Sequence, residues 1–356
     1  MDDFRIDSHK LIYHPQRVAQ WLNEENVYPL YLEIGPSGRC NHRCVFCAFN
    51  YLKYQGPFIE KGALATFLSE SATVGVKSVL YSGEGEPLLH EDVAEIILQT
   101  ENLGIDVALS TNGVLFNKSL AGQTLGSLTW MRFSLDAATK ETHGKVHRCP
   151  EGDFGLIIGN ISDAVKIKRQ NNYACTIGVQ FLLLPENHHE TVKLAAMMGE
   201  MGVDYLTIKP FYRRPMSYHT PDRDFHYPKL LALGDELQAL ASDQFKMIFR
   251  ARAMEKLEDE KKEYEQCLGL PFAAHIDAKG DMYTCSAFVG DKNFCYGNIY
   301  QSSFSEIWEG EKRKEVLLRV AEMDISQCRR NCRLDEINRY LWSLRHTEQI
   351  PHGKFI

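Results

Sequence analysis

Strand-like and helix-like segments alternate through the first 211 residues of the chain. Six short apolar runs rich in Val, Ile, Leu, Tyr and Phe have the length of buried strands, and helical periodicity occurs between them. This alternation is typical of β-α units wound around a parallel sheet. The runs lie at 28–34, 78–82, 106–110, 131–135, 176–184 and 205–210, with helices predicted at 59–73, 91–103, 154–169 and 189–201. The predicted fold class is therefore α/β, a partial (β/α)6 TIM-like barrel.

The pattern changes at about residue 220. Helices are predicted at 229–241 and 254–265, and a hairpin is predicted at 274–285 around the turn Lys279-Gly280-Asp281. The remaining C-terminal sequence is rich in cysteine and less regular. The predicted organisation is an N-terminal extension at 1–27, the barrel at 28–219, linker helices at 220–266 and a small α+β domain at 267–356.

Composition limits the classes of function. The 356 residues suit a barrel plus a small domain, and 44% hydrophobic with 24% charged residues is typical of globular proteins. The net charge of −7, without a cluster of Lys and Arg, argues against a nucleic-acid partner. No apolar run of about 18 residues occurs and the N-terminus is acidic, so we expect a cytoplasmic protein with no membrane partner. In the reducing cytosol, the ten cysteines are expected to bind metal or act in catalysis.

Three of these cysteines, Cys40, Cys44 and Cys47, fall within eight residues directly after the first predicted strand. In parallel β/α barrels the chemistry lies at the carboxyl ends of the strands. Cubane iron–sulfur clusters normally take four thiolates, so three in one loop leave one iron open to a cofactor or substrate. The alternatives are a zinc site that includes His42, or three buried thiols without a ligand.

The spacing C-x3-C-x2-C, with the aromatic Phe46 before the last cysteine, resembles the motif of the radical S-adenosylmethionine (SAM) superfamily. The resemblance extends over about residues 28–211. It implies that Cys40, Cys44 and Cys47 bind a [4Fe–4S] cluster whose fourth iron holds the amino and carboxylate groups of SAM. It also implies reductive cleavage of SAM to a 5′-deoxyadenosyl radical that takes a hydrogen atom from a substrate, with flavodoxin or ferredoxin as the electron donor.

The same resemblance implies SAM contacts at the ends of the second, third and fourth strands. Gly85-Glu86-Pro87 resembles the motif that receives the methionyl amino group, with Glu86 as its charge complement, although the family usually has a glycine at the position of Glu84. For Ser110, Asn112 and Asp136, the alternative is ordinary turn chemistry. The residues predicted to bind SAM are Phe46, Gly85, Glu86, Pro87, Ser110, Asn112, Ser134 and Asp136.

A second set of cysteines lies near the C-terminus and resembles the auxiliary-cluster regions called SPASM and, in shortened form, twitch. The elements Gly297-Asn298-Ile299 and Ile307-Trp308 also resemble that region. A full SPASM region has seven cysteines and two clusters, whereas five cysteines here suffice for one auxiliary [4Fe–4S] cluster. A zinc site is the alternative. The ligands predicted from the resemblance are Cys267, Cys285, Cys328 and Cys332, with Cys295 as a spare or alternate ligand.

Further single residues and groups of residues are candidates for roles at the site. Cys149 is a possible hydrogen-atom donor to a substrate radical, or else a buried inert thiol. His143 and His147 are interpreted as solvated or substrate-side residues. Candidates for holding an anionic substrate group, such as phosphate or carboxylate, are Lys209, Tyr212, Arg213 and Arg214.

Three functional hypotheses remain. The first is an oxidoreductase-type enzyme that oxidises or epimerises a sugar-like or nucleotide-linked small molecule. The second is a maturase of a ribosomally made peptide or protein, and about 27 residues before the first strand are few for a peptide-recognition domain. The third is a non-catalytic iron–sulfur redox sensor. The motifs at 85–87 and 110–112 favour an enzyme over the sensor, and the first hypothesis is preferred.

Overall fold

A computed structural model of the chain describes residues 8–212, 214–218, 225–258, 261–349, 352 and 355. One sheet contains ten strands in the order β10-β9-β8-β1-β2-β3-β4-β5-β6-β7. The strands are β1 (Tyr31–Ile34), β2 (Ser78–Tyr81), β3 (Asp106–Thr111), β4 (Trp130–Ser134), β5 (Thr176–Leu183), β6 (Tyr205–Pro210), β7 (Lys246–Phe249), β8 (Ala273–Ile276), β9 (Asp281–Tyr283) and β10 (Cys295–Asn298).

Helices connect the strands and cover the outside of the sheet. Their buried faces pack against the apolar side chains of the strands in one large core. Because the strands of such a sheet are buried, their sequences are nearly continuous apolar runs. The helices are α1 (Pro15–Leu22), α2 (Lys61–Thr73), α3 (Val93–Asn102), α4 (Lys118–Thr124), α5 (Lys140–His147), α6 (Gly152–Asn171), α7 (Thr191–Met201), α8 (Leu233–Gln238), α9 (Ala251–Glu258), α10 (Phe304–Glu309), α11 (Glu311–Ala321) and α12 (Asp335–Arg345).

Strands β1 to β7 are parallel neighbours, and the partial-barrel fold is confirmed. The six predicted strands are all present. The seventh, β7, lies in the segment predicted to be linker helices, and it pairs with β6 through Tyr205 and Lys246. The predicted helix at 254–265 begins earlier, at Ala251, and ends at Glu258. The helices that were not predicted are α1, α4, α5, α10, α11 and α12.

The C-terminal sequence continues the sheet on the other side of β1. The predicted hairpin is confirmed as β8 and β9, and Gly280 takes the positive φ of 76° that its turn requires. Strand β8 pairs in parallel with β1, from Tyr31 with Ala273 to Ile34 with Ile276. Residues far apart in the sequence thus become neighbours at the barrel edge.

A smaller second core joins the two ends of the chain. Val18 and Trp21 of α1 pack with Phe272 and with Leu341 of α12. The part of the predicted N-terminal extension that the structure describes is therefore docked against the C-terminal region. Among the described residues, no helix combines the length and the apolar character needed to cross a membrane.

Candidate functional site

The first cysteine set lies in an irregular loop between β1 and β2, at the carboxyl end of the sheet. The backbone N–H groups of Arg43 and Val45 donate hydrogen bonds to the carbonyl oxygens of His147 and Val146, both at 2.9 Å. The end of α5 therefore holds the loop in place.

Cys40, Cys44 and Cys47 are all half-buried and close enough to perturb one another. Burial raises the pKa of Cys40 to about 12, and the Glu86 carboxylate and the Cys47 thiol add to the shift. Burial likewise raises the pKa of Cys44, with contributions from Cys47 and Cys40. Three adjacent thiolates need a cationic centre to offset their charge, so this donor set fits a three-thiolate iron–sulfur cluster.

Gly85 is required by close packing against the cysteine loop. A Cβ atom at this position would stand 2.2 Å from the carbonyl oxygen of Ser37 and 2.4 Å from that of Arg39. The next residue adds a hydrogen bond of 2.8 Å from the Glu86 N–H to the Arg39 carbonyl oxygen. The motif after β2 thus supports the loop that follows β1.

The Glu86 side chain is buried and joins the ends of β2 and β3. Its carboxylate accepts hydrogen bonds from the Thr111 hydroxyl at 2.5 Å, the Asn112 N–H at 2.8 Å and the Leu88 N–H at 3.1 Å. Burial raises the pKa of Glu86. Pro87 begins the short 3-10 turn that places Leu88 under this carboxylate. The charge predicted to complement SAM therefore lies beside the cysteine loop.

The third-strand residues also approach the loop. The Asn112 side-chain amide donates to Asn41 Oδ1 at 2.7 Å, which links the end of β3 to the loop between Cys40 and Cys44. Ser110 is half-buried and lies 3.5 Å from the Arg132 guanidinium. Their roles in SAM binding stay predictions.

The two predicted residues at the end of β4 have different surroundings. Ser134 is half-buried, whereas Asp136 is fully buried. Asp136 Oδ1 accepts from the Leu182 N–H, and its backbone carbonyl accepts from Asn187 at 2.9 Å. These contacts support the structural alternative for Asp136, because they tie β4 to β5.

The prediction that His143 and His147 are solvated is wrong: both are buried, at 0% and 1% exposure. With Val146 they share one face of α5, and Phe46 packs edge-on against His147, with ring centroids 5.6 Å apart. His147 Nδ1 lies 3.3 Å from the sulfur of Cys44. The i, i+3, i+4 spacing of the three α5 residues was the available sign of a buried face.

Cys149 lies just beyond α5, beside Asp153. Burial and the Asp153 carboxylate raise its pKa to about 12. Potential ligand atoms of Cys149, His42 and His143 lie within 4.8 Å of one another. Cys149 is thus adjacent to the cluster loop, and its role as a hydrogen-atom donor stays a prediction.

Four C-terminal cysteines line a common, largely apolar cavity, namely Cys267, Cys285, Cys328 and Cys332. Burial raises the pKa of Cys267, and the other three thiols add to the shift. Two groups point at sulfur: the Asn338 amide lies 3.7 Å from Cys267, and the Leu334 N–H lies 3.4 Å from Cys332. Four converging thiols in an apolar cavity fit an iron–sulfur cluster, and they would also suit zinc.

Cys295 is not among the residues that line this cavity. It is buried in β10, where it packs with Phe49, Tyr283 and Val289. Its sulfur lies 3.4 Å from the Gly297 carbonyl oxygen. This position favours the spare over the alternate-ligand interpretation.

Comparison with protein families agrees with both sites. Residues 34–198 match the Radical SAM superfamily, and residues 267–333 match SPASM, described as an iron–sulfur cluster-binding domain. This chain is a radical SAM enzyme with a SPASM domain. Its cofactors are accordingly a [4Fe–4S] cluster, SAM and an auxiliary cluster, as predicted.

Curated relatives of this radical SAM enzyme match over limited lengths. GTP 3′,8-cyclase of Clostridium acetobutylicum is 32% identical over 120 residues, which cover 33% of this chain and 37% of that protein. The Desulforamulus reducens enzyme of the same name is 26% identical over 178 residues, or 49% and 53% of the two chains. An S-adenosylmethionine-dependent nucleotide dehydratase of Lacinutrix mariniflava is 28% identical over 143 residues, or 39% and 30%. The alignments thus span about a third to a half of these relatives.

Solved structures share the fold over most of the chain. SuiB of Streptococcus suis bound to the precursor peptide SuiA has a TM-score of 0.64 at 18% identity, covering 85% of this chain and 70% of SuiB. The enzyme anSMEcpe with bound AdoMet has a TM-score of 0.61 at 19% identity, covering 83% and 84%.

The SPASM domain of this radical SAM enzyme closes one side of a charged cavity inside the barrel, which we call the cationic cavity. Of the residues predicted to hold an anion, Lys209, Tyr212 and Arg214 line it, whereas Arg213 lies outside the described residues. Cys332 also borders it. The basic residues that line it include Arg132, Lys209, Arg214, Arg250, Arg329 and Arg333.

The sequence interpretation missed a buried ionic group between β1, β2 and β8. His275 Nδ1 lies 3.9 Å from Glu33 and its Nε2 lies 3.7 Å from Glu84. Glu84 also accepts from the Ala278 N–H at 2.7 Å. No local pattern marks these residues, because their proximity depends on the pairing of β8 with β1.

Proposed function

We propose that this chain is a radical SAM enzyme that removes a hydrogen atom from a sugar-like or nucleotide-linked small molecule, leading to oxidation or epimerisation. The cationic cavity carries the proposal. It lies inside the barrel, and Cys332 of the SPASM domain borders it. Arg214 also contacts the SAM-cluster loop. Its guanidinium lies 4.7 Å from the ring centroid of Phe49, which is two residues after Cys47 in the sequence.

Residues of this chain would hold the cofactors and shield the reaction. Cys40, Cys44 and Cys47 would bind the first cluster, with Glu86 and Asn112 next to SAM. When bound, the SAM-loaded cluster supplies hydrogen-atom abstraction, and oxidation of an alcohol to a carbonyl further requires loss of one electron to an iron–sulfur centre and of one proton. Epimerisation would require return of a hydrogen atom from a thiol such as Cys149.

The curated relatives support a small substrate, because their names specify GTP and a nucleotide. Their names also specify cyclase and dehydratase reactions, so the reaction of this chain is tested separately from its substrate. A peptide substrate is the second candidate, since SuiB is bound to a precursor peptide. The lining of the cavity favours the small molecule, because its basic side chains suit a compact anion better than an extended peptide backbone.

The first experiment tests SAM cleavage. The protein is reconstituted anaerobically with iron and sulfide, reduced and given SAM, and 5′-deoxyadenosine is measured by mass spectrometry. We expect product from the intact protein and none from a variant with Cys40, Cys44 and Cys47 all changed to Ala. Cys175→Ala is the matched control, because this thiol is buried away from both sites. No product from a preparation with both clusters filled would favour the sensor.

The second stage separates the two substrate classes. Nucleotides, nucleotide-sugars and sugar phosphates are compared with peptides for their ability to increase 5′-deoxyadenosine formation above SAM alone. Stimulation by a small molecule, with a substrate product of changed mass or stereochemistry, supports the proposal. Stimulation by peptides alone would contradict it and support the maturase alternative.

A further inference from the structure

The cationic cavity holds more positive charge than its own acids neutralise. Arg333 is paired with Glu33 at 2.7 Å. At the rim, Lys256 lies 2.5 Å from both Asp335 and Glu336. Glu33, Asp335 and Glu336 are thus already paired with Arg333 and Lys256.

Three cations deeper in the cavity lack such partners. Within the part of the chain that the structure describes, Arg132, Lys209 and Arg214 form no ion pair with a carboxylate. Arg132 has a buried Nε without a hydrogen-bond partner, and Arg214 donates only to the Ser286 carbonyl among the described contacts, at 3.2 Å. The three side chains are half-buried and line one cavity, and cations partly withdrawn from water need a counter-charge, so this arrangement points to an anion that the protein binds.

The neighbours of Lys209 show the same charge excess. Burial, together with the Arg132 and Arg250 guanidinium groups, holds the pKa of Lys209 well below its usual range. The buried Asp136 acts in the opposite direction on the pKa of Lys209, and Glu33 does so on the pKa values of Arg132 and Arg214. An anion between the cations would remove the repulsion that now opposes the charge on Lys209.

Arg329 extends the cationic lining towards the SPASM domain. It is 6% exposed, and its Nε also lacks a hydrogen-bond partner among the described residues. The thiol of Cys332 lies close enough to raise the pKa of Arg329. Since Cys332 is a predicted cluster ligand, Arg329 has a counter-charge of its own and is not counted with the three.

The positive charge of the three side chains and the geometry of their N–H donors indicate which class of anion they would bind. A carboxylate carries one negative charge, whereas a phosphate ester carries about −1.5 to −2 at neutral pH with three acceptor oxygens. Arginine side chains bind phosphate through two parallel N–H groups, and lysine adds a point charge. Two arginines and one lysine therefore match a phosphate or diphosphate better than a carboxylate.

We propose that Arg132, Lys209 and Arg214 bind a phosphate or diphosphate group of the substrate inside the barrel. This inference rests on the proposed function, since it assigns a chemical class to the same substrate. The phosphate would anchor one end of the molecule and leave the carbon to be attacked free to face the SAM site.

Binding is tested by anaerobic calorimetry on the reconstituted protein. Pyrophosphate and inorganic phosphate are titrated in parallel with succinate, a dicarboxylate of similar charge. We expect Lys209→Gln and Arg132→Gln each to weaken binding of the preferred phosphate probe by about 10- to 100-fold, which is the loss of one charge-assisted contact. Lys209→Arg keeps the charge and should retain most of the affinity. Lys193→Gln and Arg319→Gln, at exposed positions, should leave affinity unchanged.

The outcomes are distinct. Equal binding of succinate, or unchanged phosphate affinity in Lys209→Gln, would overturn the phosphate assignment even if SAM is cleaved normally. Phosphate binding that depends on Lys209 in a protein that never forms 5′-deoxyadenosine would uphold the site and count against the proposed enzyme function. Iron content and circular dichroism identify any variant that fails to fold. If Arg132→Gln does not fold, the comparison of Lys209→Gln with Lys209→Arg decides whether the cavity binds phosphate.

Discussion

At the scale of single residues, the direction of one hydrogen bond determines what His147 does for Cys44. His147 Nε2 lies 3.3 Å from the Asp136 N–H and also 3.3 Å from Asp136 Oδ2, so each neutral tautomer of the ring has a partner there. His147 Nδ1 lies 3.3 Å from the sulfur of Cys44, and a metal-bound thiolate can only accept, so a hydrogen bond between the two requires the tautomer with its proton on Nδ1. Hydrogen bonds to cluster sulfurs raise reduction potentials, because reduction adds negative charge that the donor stabilises.

Replacing His147 should therefore make the SAM cluster harder to reduce. We expect His147→Leu to lower the midpoint potential by on the order of 50 mV, the equivalent of one modest hydrogen bond for a one-electron couple. His147→Gln, which can keep an N–H donor near the sulfur, should restore part of the difference. Electron paramagnetic resonance during a redox titration measures the potential directly. Equal potentials in the wild type and both variants would show that this contact does not tune the cluster.

At the scale of elements, β8 connects the C-terminal region to the barrel edge and brings His275 between Glu33 and Glu84. Burial alone would lower the pKa of His275, but the two carboxylates outweigh it and raise the pKa to about 9. Ser82 and Arg333 also contact Glu33, at 2.6 and 2.7 Å. A charged histidine therefore helps to hold β8 against β1 and β2.

This interaction predicts a particular pH dependence of stability. Because the folded-state pKa of about 9 exceeds the ordinary histidine pKa of 6.5, the stabilisation is complete below about pH 6.5 and is lost as pH rises through 9. The loss is on the order of 3 kcal/mol. Denaturant unfolding from about pH 6 to about pH 10 should show this decline in the wild type and a flatter profile in His275→Gln. A variant with the same slope as the wild type would refute the assignment.

Local patterns predicted β1 to β6, because each is a short apolar run and a helix was predicted after most of them. Strand β7 was missed because its four residues, 246–249, lie among helix-favouring sequence and gain their strand character from pairing with β6. The pairing of β8 with β1 is set by contacts between distant residues, and so is the group of Glu33, Glu84 and His275. The cysteine spacings could be interpreted from sequence, since a short loop must bring its thiols together.

At the scale of the whole molecule, both cysteine sets have members that directly follow strands of one continuous sheet. The first follows β1, and Cys285 of the second follows β9 in the hairpin that extends β1. Cys332 borders the cationic cavity from the C-terminal side. An auxiliary cluster at this position would lie next to the proposed substrate site, which is consistent with a part in substrate oxidation or anchoring.

The ligand set of that auxiliary cluster is the last prediction. Cys332 shares a cavity with three other thiols, whereas Cys295 packs against Phe49, Tyr283 and Val289. We expect Cys332→Ala to lower the iron content by about four atoms per chain. The variant leaves only three of the four thiolates, so the cluster loses one ligand and part of its charge balance. Cys295→Ala should keep the wild-type iron content, and 5′-deoxyadenosine formation from SAM should survive in both variants if the first cluster is intact.

Iron and sulfide analysis with Mössbauer spectroscopy measures each cluster. Loss of iron in Cys295→Ala with retention of iron in Cys332→Ala would reverse the assignment. Zinc instead of iron in the fully occupied wild-type site would establish the zinc alternative.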